Sequence, residues 1–300
     1  MSWRVVVVSS NAKIDFKMDY LVIRTLDDAK RVHISEIAVL MLESTAISLT
    51  AYAICELLSH KVKVIFCDKQ RNPYGELLPC SGSHDSTAKI RQQIAWKPET
   101  KQAVWTEIIR AKIRHQRDVL MRYRKPQTEL LTTYLQELQL GDATNREGHA
   151  AKVYFNALFG MEFSRATPVP INAALNYGYG LILSAINREI AAAGYLTQLG
   201  IFHDNTFNAY NLGCDLMEPL RPLIDNAVVQ MQPELFEKDE KHALVRLLNT
   251  EVTVDGKHHV LLYALRLYCA SVFRALLNDD VAEIRLIEYE LQIHESHRIL

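Results

Sequence analysis

At 300 residues the chain is longer than one ordinary compact domain, so two domains sharing an interface are expected. Its 49% hydrophobic and 23% charged content is that of an ordered globular protein and leaves no long polar tract for disorder. A net charge of −1 argues against a uniformly basic coat for nucleic acid, and five cysteines (Cys55, Cys67, Cys80, Cys214, Cys269) without a C-x-x-C pair argue against a thiolate zinc site or a disulfide framework.

The apolar run at residues 5–8 is too short for a signal sequence or a membrane span, so a cytoplasmic protein with no membrane partner is predicted. Residues 3–9, 20–25, 30–33 and 38–42 are β-branched or apolar runs and read as strands, with Asp27-Asp28 as a hairpin turn. Residues 48–59 carry apolar side chains at helical spacing, and 62–67 return to strand composition. A turn-rich stretch, residues 79–86, closes this part and places the domain boundary between 84 and 85.

Beyond it the pattern is helix after helix, broken at Pro98, Pro126, Gly141, residues 168–170 and residues 194–200, with one small hairpin expected around Asp255-Gly256. The fold class is therefore α+β: a small N-terminal β sheet or sandwich domain, 1–84, followed by a larger all-α domain, 85–300. Residues 101–125 hold eight basic and two acidic side chains, a local charge of +6, and Arg110, Arg114 and Arg117 are its candidate phosphate contacts. A solvated basic helix face explains the run equally well.

Three later segments could carry chemistry. Glu147 stands in the first turn of a helix beginning near Asn145; taken alone, such an acid is more often a helix-end stabiliser than a ligand. His203 follows a short apolar run in a loop after Gly200, and imidazole is a common transition-metal ligand. Asp215 and Glu218 are spaced i, i+3, with Arg221 continuing their row beside the leucine face, where a solvated Glu218–Arg221 ion pair is the plain alternative. Pro219 and Pro222 predict a kink or a new start near Glu218. Two carboxylates and an imidazole form a sensible site for Mg²⁺ or Mn²⁺, the chemistry of a nuclease or strand transferase.

These segments, with Glu147 in E-x-x-x-A-x-x-Y-F, the Asn176-Tyr177-Gly178-Tyr179-Gly180 helix, Gly200 with His203, and residues 215–222, resemble the universal CRISPR adaptation integrase. The resemblance implies catalytic and metal-binding roles for Glu147, His203 and Glu218, with Asp215 as a second choice for the third ligand. It further implies a homodimer that joins a small adaptation partner and holds double-stranded DNA, whose 3′ hydroxyl attacks the repeat phosphodiester to insert a new spacer. The wording of the third block is similar to the form found beside the type II effector, so other type II proteins are expected among the partners. Residues 195–198 depart from the family's aspartate and proline before the histidine, which touches the loop's shape.

Two rival readings stand beside it. An HD-type phosphohydrolase would use His203-Asp204 with His149, Asp215 and Asp225. A non-catalytic DNA-binding scaffold would keep the same acids for structural reasons.

Overall fold

The computed structural model describes residues 4–77 and 84–289. Trp3 and most of the turn-rich stretch at 79–86 lie outside those residues, so the expectations placed there have no structural counterpart. In chain order the first element is β1 (Arg4–Val8), followed by β2 (Ala12–Lys17), β3 (Tyr20–Arg24), β4 (Ala29–His33), β5 (Ile37–Leu42), β6 (Ile47–Leu49), α1 (Ala51–Ser59), β7 (Lys63–Cys67) and β8 (Pro73–Leu77). They form two four-stranded sheets, ordered β1-β5-β7-β8 and β4-β3-β2-β6. The hairpin expected around Asp27-Asp28 is the antiparallel β3–β4 pair. Strand β2 was not expected, although Ala12, Ile14 and Phe16 alternate with Lys13, Asp15 and Lys17 as in a half-buried strand.

All six residues of β5 are buried, and from Val39 to Leu42, beyond the irregularity opposite Arg4 and Val5, its side chains alternate between two cores. Leu40 and Leu42 pack with Ile14, Leu21, Leu57 and Val64 between the sheets and α1. Val39 and Met41 face the other way, into the core that continues through the helices. A parallel strand covered on both faces reads as a continuous apolar run. Residues 38–42 leave no edge for pairing, since β5 lies between β1 and β7, and the sheet's edge on that side is β1.

The helical part comprises α2 (Ser86–Ile94), α3 (Pro98–Arg122), α4 (Thr128–Gln136), α5 (Arg146–Phe159), α6 (Pro170–Ala192), α7 (Asn211–Met217), α8 (Arg221–Met231), α9 (Lys238–Arg246) and α10 (Leu261–Asn278). The β9–β10 hairpin (Glu251–Val254, Lys257–Val260) turns at Asp255-Gly256 as the sequence suggested. Helix α3 is central, packing on α4, α5, α8 and α10. Pro98 at its first turn starts it without losing a hydrogen bond. Helix α10 is long and apolar enough to cross a membrane, but 61% of it is buried as a core helix.

Candidate functional site

Glu147 is fixed by its helix terminus. The Asp142 carboxylate accepts from the amides of Arg146 (2.7 Å) and Glu147 (3.0 Å), and Asn145 Oδ1 accepts from Gly148 N at 3.3 Å. Both acceptors satisfy first-turn donors that have no partner inside the helix. With its amide held in this way, Glu147 turns its carboxylate towards α3, where Lys112 Nζ donates to Glu147 Oε1 at 2.5 Å.

Glu218 occupies the break between α7 and α8, where residues 218–220 form a 3-10 turn and Pro219 and Pro222 interrupt the helical ladder. The expected Glu218–Arg221 pair exists at 2.8 Å, but it is no solvated row: Glu218 is 3% exposed. Lys112 Nζ also donates to Glu218 Oε2, so one ammonium bridges Glu147 and Glu218. Burial works against ionising Glu218, and Lys112 with Arg221 more than offsets it, holding the carboxyl below its usual range. The same carboxylates raise Lys112 above an ordinary lysine despite its burial.

His203 is set by Asp215. This side chain is 0% exposed and accepts from the amides of Ile201 (2.6 Å), Phe202 (3.1 Å) and His203 (3.1 Å), as well as from His203 Nδ1 at 2.6 Å. A Cβ on Gly200 would lie 2.2 Å from His203 O and 2.8 Å from Asp215 Oδ2, so the loop closes over Asp215 only with glycine there. Phe202 stacks on Trp105 of α3 at 4.4 Å, which presses the loop against the same helix that carries Lys112. The Asp215 hydrogen bond raises the imidazole's pKa although burial opposes it.

Glu147, His203 and Glu218 thus line one cavity of 260 Å³, together with Lys112, Gln116, Ala151, Phe155, Arg165, Tyr179, Arg221 and Asp225. Asp215 does not line it. All of its observed contacts run to the 201–203 loop, so the i, i+3 row is divided between two faces. Among the described residues no three His, Cys, Asp or Glu side chains stand together at metal-binding distance, because the Lys112 ammonium lies between the two glutamates.

Sequence reasoning missed Lys112, Tyr179 and Arg165. Lys112 had a signal: it interrupts the apolar stripe of Trp105, Ile108 and Val119 on α3, a place for a lysine with buried partners. The arginines proposed as phosphate contacts are each paired within the chain: Arg110 with Glu107 (3.3 Å), Arg114 with Glu288, and Arg117 with Asp118 (2.7 Å). The HD-type set does not assemble, since His149 is exposed beside Tyr134 and only Asp225 and His203 of that set reach the cavity.

Residues 5–251 match the family described as CRISPR associated protein Cas1. The CRISPR-associated endonuclease Cas1 of Neisseria meningitidis serogroup C (strain 8013) is 30% identical over 294 residues, covering 96% of this chain and 97% of that protein. Among solved structures, a casposase bound to integration product superposes with a TM-score of 0.75 at 20% identity, covering 100% of this chain and 97% of the other. A Cas6-RT-Cas1–Cas2 complex gives 0.74 at 17% identity, over 96% of this chain and 36% of that one. At those identities the superpositions establish the fold, α+β with strands first and helices after. By the family match and the Neisseria relative, the chain belongs to the CRISPR-associated Cas1 family and is an enzyme of its endonuclease type.

Proposed function

We propose that the chain is a metal-dependent strand transferase that joins the 3′ hydroxyl of a short DNA duplex to a CRISPR repeat. Glu147, His203 and Glu218 hold Mg²⁺ or Mn²⁺ in this reading, and Asp215 orients the histidine. The observation that carries it is the convergence of these three side chains, from separate segments, on one cavity.

The residues fit a divalent cation. A positive group, the Lys112 ammonium, is already stabilised between Glu147 and Glu218. His203 has Nδ1 engaged by a carboxylate, leaving Nε2 as the ligating nitrogen, the arrangement that fixes ring orientation in histidine metal ligands. When bound, such a cation polarises a phosphoryl oxygen and stabilises charge on the leaving oxygen. The chain's own cations, Lys112, Arg165 and Arg221, place positive charge around the same cavity for the phosphodiester.

The partners proposed are double-stranded DNA, a second copy of the chain and a small adaptation protein of the Cas2 kind. The likeness to a casposase bound to integration product and to a Cas1–Cas2 complex supports the first and last of these. The dimer would form through the β domain, where β1 offers an unpaired edge. Light scattering that finds a monomer at micromolar concentration removes the dimer.

The test of the reaction is strand transfer of a 3′-OH duplex into a repeat substrate with Mn²⁺, Mg²⁺ or chelator. Glu218→Ala should lose joining while keeping most of its DNA affinity. Joining by Glu218→Ala at the parental rate would sink the mechanism, and activity undiminished by chelator would sink the metal.

A further inference from the structure

The described residues enclose a second concavity, of 420 Å³, formed by the carboxyl end of α6 and by α10, with Lys61 reaching in from the β domain and Lys89 from α2. It is separate from the glutamate cavity. Tyr179 belongs to the glutamate cavity and Arg188 to this one, and the nine helical steps from one to the other span about 14 Å of α6.

Its charge is one-sided. Lys61, Lys89, Arg188, Arg266 and Arg274 line it, against Glu189 alone among acids. Arg188 is spoken for by Glu189 at 2.6 Å and by the Lys61 carbonyl at 2.9 Å, and Arg274 by Glu283 at 3.2 Å. For Lys61, Lys89 and Arg266, no carboxylate lies within ion-pair distance among the described residues. The carboxyl end of α6 adds a partial negative charge. Glu189 attracts Arg266 and Lys61 as well as Arg188, but one carboxylate among five cations leaves the pocket net positive.

The wall between those cations is aromatic. Tyr195 and Phe273 lie 4.4 Å apart, Lys89 Nζ stands 5.8 Å from the Tyr195 ring centre, and Tyr263 completes the lining. Tyr195 is 5% exposed, and its hydroxyl has no hydrogen-bond partner among the described residues. A buried hydroxyl left unpaired is costly unless something else supplies the bond. A bare phosphate would fill little of this volume and would ignore the rings. Cations set around an aromatic wall suit a phosphate carried on a nucleobase.

We infer that this pocket binds one phosphorylated nucleotide unit, with the phosphate among Lys61, Lys89 and Arg266 and the base against Tyr263, the partly exposed ring of the wall, backed by the buried Tyr195–Phe273 pair. The unit could be supplied as a free nucleotide or as part of a DNA strand, and the two sources separate by competition.

The experiment titrates the full chain by calorimetry with dAMP, with inorganic phosphate, and with a 5′-phosphorylated single-stranded oligodeoxynucleotide. Lys89→Ala/Arg266→Ala should weaken binding of the nucleotide probe by about tenfold or more, the loss of a charged hydrogen bond. Tyr195→Phe, which keeps the ring, should weaken it by less. Arg266→Lys keeps the charge and should hold an intermediate affinity, and thermal unfolding of each variant checks that the pocket still folds. Displacement of dAMP by the oligonucleotide assigns the pocket to a DNA strand, whereas independent binding of dAMP assigns it to the free nucleotide. Glu218→Ala should leave this binding unchanged, so the pocket stands or falls apart from the strand-transfer reading. Nucleotide and oligonucleotide affinities that are both indifferent to Lys89→Ala/Arg266→Ala would overturn the inference.

Discussion

Replacing Lys112 by methionine tests how the cavity balances its charges. The side chain is 5% exposed and its ammonium contacts both Glu147 and Glu218, so the substitution keeps the stem's packing and removes only the charge. Removing one member of a buried ion pair costs about 3–5 kcal/mol, because it strands the partner. Glu218 keeps Arg221, and Glu147 is more open to solvent, so a loss near 3 kcal/mol is expected. At about 2–4 °C per kcal/mol, the melting temperature without metal should fall by roughly 6–12 °C. Ligand binding stabilises in proportion to the logarithm of saturation, and the variant presents two carboxylates no longer shared with an ammonium. Adding Mn²⁺ should therefore raise its melting temperature by more than it raises the parent's. Differential scanning fluorimetry across a Mn²⁺ titration reads both effects. A variant as stable as the parent without metal, or one that gains no more from Mn²⁺, would refute this account of the site.

Gly200→Ala places a Cβ 2.2 Å from the His203 carbonyl, so the loop must shift. A stability loss of about 1–3 kcal/mol is expected in denaturant melts, together with reduced strand transfer. Asp225→Asn should remove a pH dependence, since burial raises the Asp225 carboxyl to about 6. Relative to an unfolded value near 3.9, its neutral form is favoured in the fold, so its contribution is full below pH ~4 and is lost as pH rises through 6; the variant's advantage should grow by about 3 kcal/mol from below the first limit to above the second in urea unfolding. A difference that does not vary with pH would contradict it. Finally, Arg110, Arg114 and Arg117 are paired within the chain. If DNA nevertheless recruits them as proposed, the triple alanine variant should flatten the log affinity against log salt slope by about 0.9 per contact on duplex DNA. An unchanged slope moves the DNA surface elsewhere.

Much of the fold was legible because the signals were local. The β5 run, the helix starts at Pro98 and Pro170 and the Asp255-Gly256 hairpin each follow from residues next to one another. Glu147, His203 and Glu218 were legible through their resemblance to a family, since 71 positions separate the first from the last. Lys112 was not, because its role depends on carboxylates 35 and 106 positions away. Counting it with Arg110 and Arg114 as part of a basic run treated charge density as exposure. The helix periodicity already placed Lys112 on the apolar stripe, and that position gives its environment better than the count of its neighbours' charges does.

Three acids within eleven positions of one another show why partners decide what a carboxylate does. Asp215 is surrounded by backbone amides and an imidazole, so its negative charge is used to shape a loop and aim His203. Glu218, equally buried, faces an ammonium and a guanidinium, which keep it ionised. Asp225 meets the Tyr179 hydroxyl and sits near Tyr154, whose hydrogen bonds do not offset burial, and its carboxyl rises to about 6. All three are short-chain carboxylates on neighbouring helical turns. The difference lies in α3, α6 and the 201–203 loop, each of which delivers a different donor, so a ligand assignment made from the i, i+3 pattern alone had no means of separating Asp215 from Glu218.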